Sequence, residues 1–518
     1  GDDEDEEGER AAQHVFPFTV VRRSSHHSSA ATHLATVDVS PHHRPHLPMP
    51  PARRAKSPAR SPGKKTSVET TQNFVAGGVG SGSFFVPIVV TLLPTICQLL
   101  AYLTSPDAKA LASSGATGLA SACYAQGAAS CASSALSAAL TIAPTWEAAR
   151  FLGVFGALAY ALDVLLPGPL EKGPETSTGH VPTYVDNGLV HCFLFTSLFA
   201  LGGAAGWYKF GIFYDLFAPC ITILNLSGYA LSTFLYFKGL YFPSTRDSGT
   251  TGSLLEDFAW GTELYPRVLW GTLDIKRWVN CRFSMTYWQL AGLSFAWKSY
   301  ELHGGAVDYG LLLSALSQYL YLVKFFMWEI GYMRSIDIIV DRAGFEIQWG
   351  CLVWVPAVYT LHTRFLVQHP SGLSLPVAAA IFAVGLAGVY LNYVADVQRQ
   401  EFREKDGKML IWGRKPQYVT AKWGGKGAAA RTSLLLADGW WGPARHFHYV
   451  FELTAAWSWC LLANPIANGA LPLFYATFLT ILLLNRAKRD EDKCLAKYGD
   501  GYKELMRLVP YRVVPGVY

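Results

Sequence analysis

A helical bundle that crosses a lipid bilayer several times is the fold class this sequence predicts, and three observations predict it. Of 518 residues, 51% are hydrophobic and only 16% charged, against roughly a quarter charged in a soluble domain. About ten stretches reach the roughly 20 mostly apolar residues that a spanning helix needs. Between them, the basic residues collect in alternate loops.

The spans fall at 84–103, 148–166, 189–207, 216–237, 283–300, 309–333, 347–367, 375–397, 450–466 and 471–484. Arg53, Arg54, Lys56, Arg60, Lys64 and Lys65 precede the first. Lys238, Arg246, Arg267, Lys276 and Arg277 follow the fourth, and Arg334 and Arg342 the sixth. The richest loop follows the eighth, from Arg399 to Arg445, and Arg486 to Lys497 follow the tenth. Intervening loops carry Lys109, Lys209 and little else. The positive-inside rule then places both termini and every even loop in the cytosol.

Outside the spans the chain is less structured. Residues 1–75, with an acidic run from Asp2 to Glu9 and a basic Pro-rich stretch from Pro50 to Lys65, hold too little apolar surface to offset the entropy of folding and read as a disordered tail. His42, His43 and His46 read as part of that solvated tail rather than a metal site. Gly77 to Gly82 resembles a phosphate loop but follows no strand. The segment 105–144 is a low-complexity Ala/Ser/Gly insertion. Nine cysteines form no C-x-x-C pair, which excludes a zinc box and a disulfide framework.

Chemistry concentrates in the last quarter. Gly439 to Tyr449 reads GWWGPARHFHY, and Arg486 to Gly499 reads RAKRDEDKCLAKYG. Arginines grip phosphates bidentately and stay charged, and Trp441 and Tyr449 offer rings for a flat group. The cluster fits a cup for an anionic cofactor. It fits equally well an interfacial belt anchoring the bundle. No Rossmann fingerprint is present, so a nucleotide would be held without a βαβ unit.

Several ordered motifs identify a family resemblance: Leu165-Leu166-Pro167-Gly168, Gly173 to Pro182 (GPETSTGHVP), Glu263 to Arg267 (ELYPR), Leu273 to Lys276 (LDIK), Asn280 to Phe283 (NCRF), Asp341 to Phe345 (DRAGF), Trp349 to Pro356, Ile411 to Pro416 (IWGRKP) and Arg445 to Tyr449 (RHFHY). Together they resemble the NADPH-dependent sterol reductases, most closely the plant and algal delta-7 type. The resemblance runs from about Leu165 to Tyr518. It implies reduction of the C7–C8 double bond of a sterol in the endoplasmic reticulum membrane, with the sterol supplied by the bilayer and no nucleic acid or metal involved. After the tail over 1–75 read from composition, it implies a bundle with the sterol pocket over 76–370 and an NADPH site over 371–518. Carried over by motif, the cofactor residues are Arg399, Arg403, Leu436, Trp441, His448, Tyr449, Asp490, Cys494, Lys497 and Tyr498. Arg399 and Arg403 are four apart, on one helical face, and so suit the extra phosphate of NADPH. Two positions depart from the family pattern: Leu505, where relatives carry Tyr, and Phe451.

An isolated alkene accepts hydride poorly, so a proton must arrive first or with it. That requires a general acid beside an apolar, water-excluding pocket. Intramembrane ionisable groups are the default candidates: Glu329, Tyr332, Asp337 and Asp341, with Glu346 and Tyr265 behind them. Asp337 and Asp341 could equally pair with arginines. Tyr359 and Trp354 line the pocket or simply pack. Rival readings are a delta-14 reductase of the same family, a membrane S-adenosylmethionine-dependent methyltransferase, a nuclear-membrane scaffold, and a transporter, for which no repeat is apparent.

Overall fold

The computed structural model describes residues 85–106, 128–176, 178–424 and 430–518. The expectations for the tail, its histidines and the Gly77–Gly82 loop lie outside the described residues, as does part of the 105–144 insertion. The described chain is a helical membrane bundle with three small hairpins at its loops.

Helix α1 (Phe85–Leu103) is followed by α2 (Ala128–Leu140), which lies within the stretch read as low complexity and buries Ala135 and Ala139. Small side chains let a helix pack closely there. Helix α3 (Trp146–Leu165) starts where the Thr145 hydroxyl accepts from the Ala148 amide, an N-cap that satisfies one orphan donor. Hairpin β1–β2 (Leu170–Lys172, Thr183–Val185) leads to α4 (Gly188–Ala204) and α5 (Phe217–Tyr241). Short α6 (Leu254–Trp260) and hairpin β3–β4 (Arg267–Val268, Leu273–Asp274) precede α7, residues 275–302. Helix α8 (Tyr309–Met327) breaks at Trp328, so the predicted span 309–333 ends earlier. Then come α9 (345–366) and α10 (Leu375–Glu404). Hairpin β5–β6 (Tyr418–Gly424, Ala430–Leu436), α11 (His448–Leu461), α12 (Phe474–Tyr498) and α13 (Asp500–Leu508) complete the chain. Among the described residues, α3, α5, α8 and α10 are each long and apolar enough to cross a bilayer, and α4 and the end of α1 are shorter apolar helices.

Two helices are not plain α. Residues Trp278–Met285 of α7 and Gly350–Tyr359 of α9 are π-helical, and they pack against each other. Such segments are rare and cluster at functional sites. Pro356 lies inside the second, where it removes a backbone donor and favours the wider winding.

The loops rich in basic residues meet at one end. Arg267 donates to the Thr183 carbonyl (3.0 Å), Arg277 to the Val185 carbonyl (2.6 Å), Arg342 to the Gly249 carbonyl (2.7 Å), and Arg486 pairs with Asp337 (3.1 Å). The poorly charged loops meet at the other: Asp308 accepts from the Ser371 amide (2.9 Å), and Asn464 donates to the Ser371 carbonyl (2.7 Å). The alternation read from charge is thus the alternation of the helices. One apolar core runs from α1 to α12 and joins the regions before and after residue 370, with Trp288 against Trp459 and Tyr475.

Candidate active site

Three groups of side chains stand out, two at the basic end of the bundle and one deeper in its core. The first is a sealed polar node. The Arg282 guanidinium is fully buried and donates to Asp163 (2.9 Å), to both oxygens of Glu329 (2.7 and 2.8 Å) and to Asn187 (2.8 Å). Arg277 adds contacts to Asp163 (3.3 Å), Glu329 (3.4 Å) and Asn187 (3.0 Å). Two arginines thus face two acids, and the node ties the end of α3 and the starts of α4 and α7 to the end of α8. Gly188 is required here: a Cβ would sit 2.5 Å from a Glu329 oxygen. Glu329, expected as a proton donor, is placed as a carboxylate gripped from two sides. That placement supports a structural role.

The second group is a buried aromatic cluster. Trp288, Tyr321, Tyr359, Trp459 and Tyr475 pack on one another, with Trp288–Tyr359 centroids 5.1 Å apart, Tyr359–Tyr475 4.7 Å and Tyr321–Trp459 5.2 Å. Trp354 joins through Phe478 (4.9 Å). The Tyr321 hydroxyl donates to Glu452 (2.8 Å), so the cluster holds a phenol–carboxylate pair. Sequence reasoning passed over both residues. Glu452, an acid inside a predicted span, was the available signal. Tyr332 stands nearer the basic end, where Asn280 approaches its hydroxyl (3.4 Å), and it is within electrostatic reach of Asp337 and Arg486. Asp337 and Asp341 form ion pairs with Arg486 (3.1 Å) and Arg489 (3.0 Å) of α12. Buried Lys276 donates to the carbonyls of Ile338 (2.8 Å) and Asp341 (2.6 Å) and so fixes the loop that carries both acids.

The third group is the cup. Helix α12 continues past its predicted span, and the 3.6-residue repeat puts Asp490, Cys494, Lys497 and Tyr498 on one face. Helix α10 likewise continues to Glu404 and carries Arg399 and Arg403. The Arg399 guanidinium lies 3.7 Å from the Trp441 ring centroid, a cation–π stack. The indole of Trp441 donates to the Ala395 carbonyl (2.8 Å), and its ring meets His448 (4.6 Å). Tyr449 lies beside His448 (4.3 Å) and stacks on His446 (5.4 Å). His446 Nε2 is 3.1 Å from Asp490. Burial pulls the Asp490 carboxyl upward, but the His446 contact and the nearby Lys493 and Arg399 outweigh it and hold the group at about 2. Burial, with Asp490 close by, pushes the Cys494 thiol up to about 12, so it is a poor nucleophile. Leu436 is buried with Phe402, Ile411 and Trp441 behind the cup. Arg403 is exposed and within electrostatic reach of Arg399, Tyr498, Cys494 and Asp490. All ten cofactor candidates therefore fall in one neighbourhood. The Nδ1 atoms of His446 and His448 are buried there without a protein partner.

Arg445 serves differently. It donates to Glu491 (2.5 Å) and to the carbonyls of Val509 (2.6 Å) and Pro510 (2.9 Å), while Arg512 also grips Glu491 (2.8 Å). These bonds fasten the segment after α13 to the cup. Leu505, one of the two departures, is buried in the small core of β5, β6 and α13. Phe451 packs on Trp440 (5.3 Å) and Phe447 (5.0 Å).

Cup and aromatic cluster adjoin: Arg486 is within electrostatic reach of Tyr449 of the cup and of Tyr359 of the cluster. A membrane bundle whose basic, aromatic cup adjoins a buried aromatic cluster fits a membrane enzyme acting on an apolar substrate. The model of the ergosterol biosynthesis ERG4/ERG24 family matches residues 124–518, and the chain belongs to that family of multi-pass sterol reductases. It is 42% identical over 380 residues to a 7-dehydrocholesterol reductase of Arabidopsis thaliana, covering 72% of this chain and 86% of that one. It is 38% identical over 377 residues to a delta(14)-sterol reductase of Methylotuvimicrobium alcaliphilum, covering 72% and 84%. A 7-dehydrocholesterol reductase of Danio rerio is 34% identical over 389 residues, covering 72% and 80%.

Proposed function

We propose that the protein reduces the C7–C8 double bond of a delta-5,7 sterol, using NADPH, in the endoplasmic reticulum membrane with its basic end in the cytosol. The observation that carries the reading is the adjacency of the cup and the aromatic cluster in a chain 42% identical to a 7-dehydrocholesterol reductase. The cup fits a reduced nicotinamide dinucleotide. It offers guanidiniums for phosphates, stacked rings for a planar head, and two orphaned imidazole nitrogens for an amide. Bound there, the cofactor supplies a hydride.

The protein's own groups do the rest. The pocket that the aromatic cluster is proposed to line takes the sterol rings from the bilayer and excludes water, which would otherwise capture a carbocation. Its aromatic faces attract the positive charge that develops when the alkene is protonated. Tyr321 is the proposed proton donor, restored through Glu452; of the residues expected from sequence, Tyr332 with Asp337 behind it is the second route. Asp341 holds Arg489, and Glu329 holds the node. The residues before about 370 supply most of the sterol pocket, and those after it the cofactor site.

A delta-14 reductase is the second reading, favoured by the 38% identity to such an enzyme. Expression in a yeast that accumulates a delta-5,7 sterol tests both. Loss of the diene by mass spectrometry supports the first, whereas an unchanged diene with reduction of an added delta-8,14 sterol supports the second.

A further inference from the structure

One aromatic–basic group extends outward from Lys497 of the cup to residues not yet given to it. Trp423, on β5, has the Lys497 ammonium 4.0 Å from its ring centroid and the Arg431 guanidinium 5.5 Å from it. Arg431 is its direct cross-strand partner on β6. The indole is pinned by a bond from its nitrogen to the Ser433 hydroxyl (2.9 Å) and is half-buried, while both cations are exposed. No carboxylate pairs with Lys497 or Arg431 among the described ion pairs. This contrasts with Arg445, Arg486, Arg489 and Arg512, each of which has an acid.

The group is continuous with the cup. Lys497 also lies 4.9 Å from the Tyr498 ring, and Tyr498 adjoins Arg403. Along α12, Asp490 and Lys497 are seven residues apart, a rise of about 10 Å. Cations therefore follow one another outward: Arg399 stacked on Trp441 at the inner end, Arg403 midway, and Lys497 with Arg431 at the rim. Two aromatic platforms stand at the ends of this track, Trp441 inside and Trp423 outside. A dinucleotide has the same layout, with two flat bases joined by a pyrophosphate.

We propose that Trp423, Lys497 and Arg431 form the adenosine end of the cofactor site, the ring supporting adenine and the two cations holding its ribose 2′-phosphate. The inference rests on the dinucleotide reading of the cup. It moves recognition of the extra phosphate away from Arg399 and Arg403, where the sequence placed it. Arg403 is left to the pyrophosphate, which NADPH and NADH share. An indole that only anchors the hairpin to α12 would need no unpaired cations on its ring, whereas a phosphate site needs both.

The test uses the full-length protein in detergent, with adenosine 2′,5′-bisphosphate and 5′-ADP as probes in calorimetric titrations. R431Q combined with K497Q is expected to weaken the bisphosphate about tenfold or more while leaving 5′-ADP within about twofold. W423L is expected to weaken both probes, and W423F, which keeps a ring, to restore most of the loss. Melting temperatures report any collapse of the hairpin. If the double variant binds the bisphosphate as the wild type does, or loses both probes equally, the inference is overturned while the cup remains. If the wild type binds neither probe, the dinucleotide reading falls and takes the inference with it.

Discussion

Replacing Glu329 by Gln separates structure from chemistry at the residue that sequence reasoning favoured as an acid. The wild-type carboxylate takes three contacts from Arg282 and Arg277, at 2.7, 2.8 and 3.4 Å, with its side chain wholly buried. Glutamine keeps the shape but turns an NH2 group toward a guanidinium, setting donor against donor. It also leaves two buried cations facing the single carboxylate of Asp163. Breaking one partner of a buried ion pair costs about 3–5 kcal/mol. E329Q should therefore melt several degrees below wild type in detergent, by tryptophan fluorescence. Replacing Arg282 and Glu329 together by leucine should cost less, because Arg277 and Asp163 then remain matched. At 20 °C, well below the melt, kcat of E329Q should stay within about threefold of wild type. A proton donor behaves oppositely, since losing a general acid costs about 10²–10⁴ in rate. A hundredfold fall in kcat with an unchanged melt would refute the structural assignment.

The remaining expectations are narrower. Gly188→Ala places a methyl against Glu329 and the Phe326 carbonyl (2.9 Å), and should lower stability by about 1–3 kcal/mol; an unshifted denaturation midpoint would show that the node yields. Tyr321→Phe should lower kcat about a hundredfold or more with sterol KM little changed; Tyr332→Phe showing that loss instead would move the donor to the second route. Trp441→Ala should raise the KM for NADPH at least tenfold while sparing sterol binding, read by initial rates. Burial holds the Lys276 ammonium down to about 8, against its ordinary 10.5. Between those values the unfolded chain keeps a proton that the folded one releases, so stability rises as pH climbs from about 8 toward 10.5, and the burial cost is present in full below that window. The melting temperature of wild type should therefore gain on that of K276M across the window, and a flat difference would contradict it.

How legible was this in the sequence? Charge in the loops read the helix alternation well, because Arg267, Arg277 and Arg342 must find water or carbonyls at one face of the bundle. The cup was legible as composition, since Arg399, Trp441 and Asp490 are costly in lipid. What it could not show was pairing. Asp337 and Asp341 could be read as paired with neighbouring arginines, but not with Arg486 and Arg489, which α12 brings beside them. Glu329 looks like an acid in a span until Arg282 arrives from 47 residues away. Hydropathy also hid the helix over Ala128–Leu140, whose small residues resemble linker. The extension of α12 was hidden too, because an apolar window ends where charge begins although the helix does not; that of α10 was legible from Arg399 and Arg403, four apart on one helical face. Tyr321 and Glu452 were missed for the same reason as the ion pairs: 131 residues separate a phenol from its carboxylate.

The two π-helical runs carry a consequence for how such chains diverge. An α-helix turns about 100° per residue, so losing a single residue from Gly350–Tyr359 would relax the loose winding and swivel the rest of α9. Every other side chain would survive, yet a different set would face the neighbouring helices. A one-codon deletion at this point is thus a rotary dial, able to re-aim the face of α9 without replacing a single amino acid.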